Sequence, residues 1–479
     1  MMRSTKVAGV GKTSKKLAAV IMAAGLGLAC GDDPSGPGSV TQPADVTSAV
    51  IEVAPHPLVR DLAVDLDAAS KVQVDYWTAG VPKLRRESLR AAASHKMQLS
   101  RLIPDAVYEY EVRGLGSDGE RGDAVRGQFN TGSLPDDLAA VSFTARGQTT
   151  EPLTMLELRA APFYGFVVVD REGEVVWYWR TNPSPRGYSR RANGNFLFLQ
   201  GPLQPGPGIR ITEVNARSQV VHDLSPIAPA HHDLIPTPQN TVYYLAIDDQ
   251  TVNDTVWTGE AIWEWDPEAG TERKLWSSFD VMSPTTDLGE RSRPDDWLHA
   301  NSISIGPRGN VLMSLFFQPE VISIAPDFQS LEWRLFGPFA TITSVGDAEA
   351  EGTHTASEVS DGRVLVFDNG VDREDGSVYS RALEVQIDAD GRTATKVWEF
   401  RPSTDNQSRI ISSARRLPND NTLVAFGANQ GIAGSTGPIE VFEVDQSQRA
   451  IWHLLIENAA TMYRATPLSD IKGEVEVLD

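Results

Sequence analysis

Beyond residue 150 the sequence repeats one loose theme, and this repeat limits the possible folds more than any other feature. A polar turn precedes an apolar strand in Ala192-Asn193-Gly194-Asn195, Pro238-Gln239-Asn240, Pro307-Arg308-Gly309-Asn310, Asp361-Gly362-Arg363 and Pro418-Asn419-Asp420-Asn421. After each turn come an apolar strand, a loop, and an alternating strand with an Asp-turn and often a Trp, as in Val169-Asp170 through Trp177 and Val444-Asp445 through Trp452. The turn positions 195, 240, 310, 363 and 421 fall 45 to 70 residues apart. That spacing predicts a four-stranded unit with variable insertions, the pattern of a β-propeller. A partial unit at 155–180 brings the expected number of blades to six, and residues 458–468 supply a strand to close the ring. A second sandwich or a β-helix competes, but the repeated Asp-turn and Trp favour blades. The 39 glycines and 30 prolines provide the turns that an all-β chain requires. Trp177, Trp263, Trp333, Trp398 and Trp452 read as packing between blades.

Residues 46–135 carry a different pattern. Val72, Val74 and Tyr76 alternate with polar residues, as do Tyr108, Tyr110 and Val112, which predicts half-buried strands of period two. The run from Leu102-Ile103-Pro104-Asp105 to Val112, followed by Phe129-Asn130-Thr131-Gly132, resembles the closing half of a fibronectin type III sandwich. The expected order is therefore an N-terminal fibronectin III-like β-sandwich at 46–135, then a six-bladed propeller at 150–479. Nothing chemical is expected in the sandwich, where His56 and His95 read as bystanders.

The first thirty residues read as a targeting segment. Arg3, Lys6, Lys12, Lys15 and Lys16 precede an apolar stretch, Leu17 to Ala29, that is too short to span a bilayer. It stops at Cys30, the single cysteine of the chain, in a string resembling the lipobox of bacterial lipoproteins. The implied product is acylated at Cys30 and tethered by residues 31–45, which predicts an exported, lipid-anchored protein, periplasmic or at the cell surface. Gly9-Val10-Gly11-Lys12-Thr13 imitates a phosphate-binding loop but lacks its first glycine and a preceding strand. With 43 Lys+Arg against 64 Asp+Glu, the net charge is −21. Such acidity excludes nucleic acid as a partner, because counterion release rewards basic surfaces. A lone cysteine also excludes an internal disulfide.

Three of the histidine-bearing segments sit at matched places in the repeat: His231-His232-Asp233, Asp296-Trp297-Leu298-His299-Ala300-Asn301, and Glu351-Gly352-Thr353-His354-Thr355. Equivalent positions in successive blades converge on a central channel, so imidazoles are expected around one axis. His222 and His453 read as structural. Three imidazoles can bind zinc or copper. Alternatively, one neutral imidazole is a nucleophile while the others donate hydrogen bonds or move a proton, an arrangement suited to transfer of a compact anionic group.

Asp296-Trp297-x-His299-x-Asn301-Ser302, Leu331-Glu332-Trp333-Arg334-Leu335-Phe336-Gly337, His354-Thr355 followed by Val366-Phe367-Asp368-Asn369-Gly370, and Tyr463-Arg464-Ala465 together resemble the bacterial arylsulfotransferase family. The resemblance covers most of residues 150–467. It implies an exported six-bladed propeller with an N-terminal sandwich that moves a sulfuryl group from an aryl sulfate to a phenol. That transfer is ping-pong, needs neither cofactor, metal nor nucleotide sulfate, and leaves oligomeric state open. By resemblance His354 is the transiently sulfated histidine. His232 and His299 stabilise the sulfuryl oxygens and handle the phenol proton, and Asn301 lies near the transferred group. The family's anion-holding arginine falls on Phe316, and its cysteine pair is missing. Arg373 and Arg381 are candidates to replace that arginine. Phe316 and Phe317 would suit an aromatic acceptor, strand alternation letting only one face the channel. Asp368 and Asn369 read as a turn. A non-enzymatic binding propeller and a quinone- or metal-dependent oxidoreductase remain as alternatives.

Overall fold

The structure, a computed structural model, describes residues 42–478 apart from 160–162, 182–183, 203–207, 372, 374, 404–405, 429–438, 460 and 472–475. The leader, Cys30 and most of the tether lie outside the described residues. Among the described residues, regular structure is β except for a short helix, Asp136–Ala139, and one turn of 3₁₀ helix at Ser278–Asp280.

The N-terminal unit is organised by one long strand, Arg60–Trp77. Its first half pairs with Val46–Val53 and Ala92–Leu99, and its second half with Lys83–Glu87 and Val107–Leu115. The strand thus serves two antiparallel layers that enclose a single core, which includes Val64, Val72, Val74, Tyr76, Tyr108, Tyr110 and Val112. The residues expected to alternate inward are all buried there.

Six sheets follow among the described residues, antiparallel except for a short parallel edge strand, Thr343–Val345, in the fifth. Sheet I contains Leu153–Arg159, Tyr164–Asp170 and Val175–Arg180; sheet II runs from Ser184–Arg190 to Val220–Leu224, and sheet III from Ala230–Pro236 to Thr271–Ser277. Sheet IV spans Ala300–Ile305 to Leu331–Leu335, sheet V Thr353–Ser360 to Thr393–Phe400, and sheet VI Ser413–Arg416 to Ala450–Glu457. Neighbouring sheets meet through their first strands in chain order, a propeller-like arrangement. The circle is closed twice. Met462–Leu468 becomes the innermost strand of sheet I by pairing with Leu153–Arg159, and Ser142–Gly147 becomes the outermost strand of sheet VI by pairing with Ala450–Glu457. The array therefore starts before residue 150. At its other end Glu476–Leu478 pairs with Lys83–Glu87 and belongs to the N-terminal unit.

The repeated turns have a physical basis. Asn195 and Asn421 donate to the buried carboxylates of Glu213 and Glu443, two strands on in their own sheets, at 2.7 and 2.5 Å. Asn310 donates to Ser323 and to Glu358 of the next sheet, both at 2.9 Å. A buried acceptor left alone is costly, so the turn and the third strand are specified together. The tryptophans pack between sheets: Trp177 donates to the Ala216 carbonyl of sheet II, and Trp452 to the Arg171 carbonyl of sheet I, both at 2.9 Å.

The N-terminal unit is docked firmly on this array. Ala54 and Val59 share a core with Val176, Trp177 and Phe196, and Asp61 accepts two hydrogen bonds from Arg217. His56 is not a bystander. It is buried at this junction, stacked on Trp177 at 5.5 Å, accepting from the Leu58 N–H and bonded to the Tyr178 carbonyl at 3.1 Å. Burial pushes its pKa down to about 4. The unfolded chain takes up this proton below about pH 6.5 and the folded one does not until about pH 4, so stability is lost as pH falls through that window. His56→Ala should lower unfolding stability by about 1–3 kcal/mol at pH 7, through the two backbone groups left unpaired. The gap between wild type and variant should narrow at pH 5. Urea titrations at the two pH values check this, and a gap that is constant or widens would remove His56 from the account.

Candidate active site

The innermost strands of the sheets cannot all remain regular where they crowd around the axis, and each of those carrying a candidate residue breaks its ladder there. The register slips between Pro185 and Gly187, Ala230 and Leu234, Ala300 and Ser302, His354 and Ser357, and Met462 and Ala465. Such bulges free a residue from pairing and re-aim its side chain. His232, His299 and Thr355 also have positive φ angles of 54°, 54° and 50°. Backbone of this kind is costly in non-glycine residues and persists where surroundings enforce it.

The bulges bring the three expected histidines together. The rings of His232 and His299 lie 5.2 Å apart, and Tyr463 is 6.1 Å from His232 and 6.0 Å from His354. Phe316 bridges the remaining gap, 5.8 Å from His299 and 5.3 Å from His354. Phe317 stacks on His299 at 4.6 Å. Both phenylalanines therefore touch the cluster, contrary to the alternation argument, because they follow the end of the strand Val311–Leu315.

His354 is held by both nitrogens. Nδ1 lies 2.7 Å from Asn369 Oδ1, and Nε2 accepts the Ile411 N–H at 3.2 Å. Asn369 is more than a turn residue: its amide nitrogen donates to the Ser408 and Ile411 carbonyls at 2.5 and 2.9 Å. Those two acceptors fix the amide orientation, so Oδ1 must accept. The proton of His354 is thereby placed on Nδ1 and the lone pair on Nε2. Burial, listing against the charged form, pushes the pKa of His354 down to about 3 despite the Asn369 bond.

The other two histidines have carboxylate support. His299 Nδ1 is 2.7 Å from Asp296, which leaves Nε2 for the cluster. His232 Nδ1 meets His231 Nδ1 at 2.8 Å, and His231 Nε2 makes a bent contact of 2.9 Å with buried Glu260. His232 is pushed well below its usual pKa by burial, then by its histidine neighbours and the positive charges of Arg186 and Arg159.

The remaining expectations fare differently. Asn301 is buried beside the cluster and donates to the Thr353 carbonyl at 2.8 Å, supporting the strand that bears His354. Arg373 and Arg381 are committed elsewhere: both bond Asp368, at 2.6 and 2.9 Å, and Arg381 also bonds Glu399, Asp347 and the Glu349 carbonyl. Each guanidinium answers carboxylates in sheet V, which is why neither takes the place left by Phe316. They line a separate cavity of about 820 Å³ with Phe317 and Glu351. Sequence reading missed Arg186, Arg159, Arg464 and the role of Tyr463. Arg464 binds Asp233 at 2.6 Å and the His232 carbonyl at 3.2 Å, and Tyr463 donates to the Asn301 carbonyl at 2.7 Å. A signal for Arg186 was present: it precedes Asn195 by nine residues, as His231 precedes Asn240, Asn301 precedes Asn310 and His354 precedes Arg363. A cavity of about 460 Å³ lies on the same axis, lined by Asp233, Ser302, Thr355, Ala414 and Arg464. Its residues are largely those that follow the site residues in sequence.

A family model described as Arylsulfotransferase (ASST) matches residues 141–464. No curated protein matches the chain. Among solved structures, a protein of unknown function from Bacteroides caccae is 14% identical, with 67% of this chain and 100% of that chain covered and a TM-score of 0.46. A streptogramin B lyase is 8% identical over 70% and 91% of the two chains, TM-score 0.37. The periplasmic gluconolactonase of Pseudomonas aeruginosa is 13% identical over 86% and 99%, TM-score 0.36.

The geometry around His354 makes a spectroscopic prediction. Nitrogen NMR of histidine-labelled protein should show His354 as the Nδ1–H tautomer, unchanged from pH 8 to pH 5. Asn369→Ala should release it into a mixture of tautomers. A His354 that titrates near its ordinary pKa would contradict this description.

Proposed function

The chain belongs to the arylsulfotransferase family, and from that premise we propose that it transfers a sulfuryl group from an aryl sulfate to a phenolic acceptor through a sulfohistidine at His354, with no nucleotide sulfate donor. The protein on this reading is a six-bladed propeller behind a fibronectin III-like sandwich, exported and lipid-anchored through Cys30. One observation carries the reading most: three histidines from separate sheets share one cluster, and His354 is held there as a neutral ring whose Nε2 keeps its lone pair, shared with the Ile411 N–H.

In the first half-reaction Nε2 of His354 releases the Ile411 N–H and bonds to sulfur. The sulfur–aryl oxygen bond breaks, and the departing phenolate takes a proton from Nε2 of His299, whose other nitrogen is held by Asp296. In the second half the acceptor phenol returns that proton to His299 and its oxygen attacks sulfur. The nitrogen–sulfur bond breaks and its electron pair returns to His354. Proton and sulfuryl group are both conserved over the cycle, as a ping-pong exchange requires. His232 and Asn301 border the transferred group. The Asn369 partner resembles the asparagine of thiol protease triads, which orients an imidazole without neutralising its charge. Phe316 and Phe317 offer flat apolar walls to the aryl rings, for which ring–ring contacts at these distances are favourable.

A second reading, a propeller kept for binding alone, draws on Phe316 standing where the family has its arginine. The test separates the two. Residues 31–479 should release p-nitrophenol from p-nitrophenyl sulfate faster when phenol is added, and His354→Ala should lose on the order of 10³-fold or more of that rate. Donor without acceptor should leave one SO₃ group on His354, read by peptide mass spectrometry. A wild type silent across several aryl sulfates and phenols would overturn the transferase reading and favour binding.

A further inference from the structure

Around the histidine cluster, guanidiniums outnumber the carboxylates that answer them. Arg464 is paired with Asp233 at 2.6 Å and Arg159 with Glu157 at 3.1 Å. Among the described residues Arg415 and Arg186 have no such carboxylate, and of the two it is Arg186 that acts on His232. Arg186 is 5% exposed, its Nε has no partner, and among the described residues no hydrogen bond or ion pair reaches its guanidinium. Glu157 is the nearest compensating charge, but that carboxylate is bonded to Arg159 and also feels Arg464.

The position of Arg186 is imposed by its strand. It is the unpaired residue of the bulge between Pro185 and Gly187. The strand presses against the histidine segment at the next residue, where a Cβ on Gly187 would come within 2.6 Å of the His232 carbonyl oxygen. Only glycine allows that approach, and it brings Arg186 alongside His232. Arg186 and Arg159 both act electrostatically on His232, and Arg186 also feels Tyr463, whose ring neighbours His354. Burial pushes the pKa of Arg186 down to about 10, which still leaves it charged at neutral pH. Burying a charged group without a partner is expensive, and removing its counter-group is the usual way to destabilise a site. Here no carboxylate is bonded to the guanidinium of Arg186.

The geometry points to Arg186 as the anion anchor of this site: its guanidinium holds the oxygens of the sulfuryl group, taking over from sheet II the task that Phe316 cannot perform from sheet IV. This rests on the sulfuryl-transfer reading for the identity of the anion. An aryl sulfate carries a negative charge, which suits a buried guanidinium that has no carboxylate of its own. A planar guanidinium offers paired donors to two oxygens of such a group, which an ammonium cannot do.

Arg186→Gln and Arg186→Lys test this in the full mature chain. Arg186→Gln should lower kcat/KM for p-nitrophenyl sulfate on the order of 10²–10³-fold, the range for loss of one donor to a developing oxyanion. Arg186→Lys should recover part of that loss. Thermal unfolding discriminates anchor from scaffold. Removal of an unpaired buried charge should leave the melting temperature unchanged or raised, whereas a structural guanidinium would lower it. A readout without turnover uses His354→Ala: inorganic sulfate should raise its melting temperature, and the double variant with Arg186→Gln should lose that rise. Normal kinetics in Arg186→Gln with an active wild type would overturn the anchor and leave the transferase reading standing. An inactive wild type whose sulfate response still depends on Arg186 would overturn the transferase reading and keep the anchor. A melting temperature that falls in Arg186→Gln together with an unchanged sulfate response would overturn the anchor as well.

Discussion

The site depends on how neighbouring inner strands share backbone hydrogen bonds across the axis. A bulge strands peptide groups that a regular ladder would satisfy, and a buried peptide group cannot be left alone. The chain answers with the side chain next to each site residue, reaching one sheet onward. Asp233 of sheet III accepts from Ile303 N–H of sheet IV, and Asn301 of sheet IV donates to the Thr353 carbonyl of sheet V. Thr355 of sheet V accepts from Ala414 N–H of sheet VI, and Ser413 of sheet VI accepts from Ala465 N–H on the closing strand. Arg464 on that strand returns to Asp233. The ring of polar side chains is thus continuous through five sheets, and three of its members, Asp233, Thr355 and Arg464, adjoin His232, His354 and Tyr463 of the cluster. Positive φ angles at His232, His299 and Thr355 are tolerated because this ring holds the bulges in place.

A buried, crowded axis also decides protonation. The same burial that makes the ring of hydrogen bonds obligatory disfavours charge on His354 and His232. A neutral imidazole keeps its lone pair, which a nucleophile needs, and Asn369 decides which nitrogen carries it. His299 is the less enclosed of the three, with a carboxylate at its back. That difference in environment is what allows chemically identical side chains to take different tasks in the proposed cycle. Burial further strengthens any interaction between Arg186 and an anion relative to an exposed site.

Much of this was legible in the sequence because the repeat has a local physical cause. Turn asparagines and buried glutamates occur in register, so Asn195, Asn310 and Asn421 announced the sheets, and the histidines announced the axis. His56 was misread because its partners, Trp177 and Tyr178, lie over a hundred residues away and no periodicity connects them. Arg373 and Arg381 were misread for the opposite reason: they are close in sequence to the site but answer to Asp368, and nearness along a strand does not specify which side of the sheet a guanidinium crosses. Phe316 and Phe317 violated alternation because the strand had ended, a boundary that hydrophobic pattern alone places poorly. Arg186 carried the right spacing but the wrong residue type for a search that began from histidine.

That last miss has a general cause in the geometry of the fold. In a single sheet, a charge lost from one strand can be replaced only by a neighbour whose side chain leans the same way. Around an axis the constraint is weaker, since the bulged residue of each innermost strand points at the same small volume. Arg186, Asn301 and His354 occupy the same offset from their turns in sheets II, IV and V, so a donor can move from one sheet to another and still reach the group held at the centre. On the proposed reading, Phe316 gives the site an apolar wall in one direction while Arg186 supplies charge from the other side. The two together would orient the anion within the site and place the aryl ring against Phe316 and Phe317. Substitution at the axis then alters, on that reading, the fit of the aryl ring without dismantling the histidine cluster.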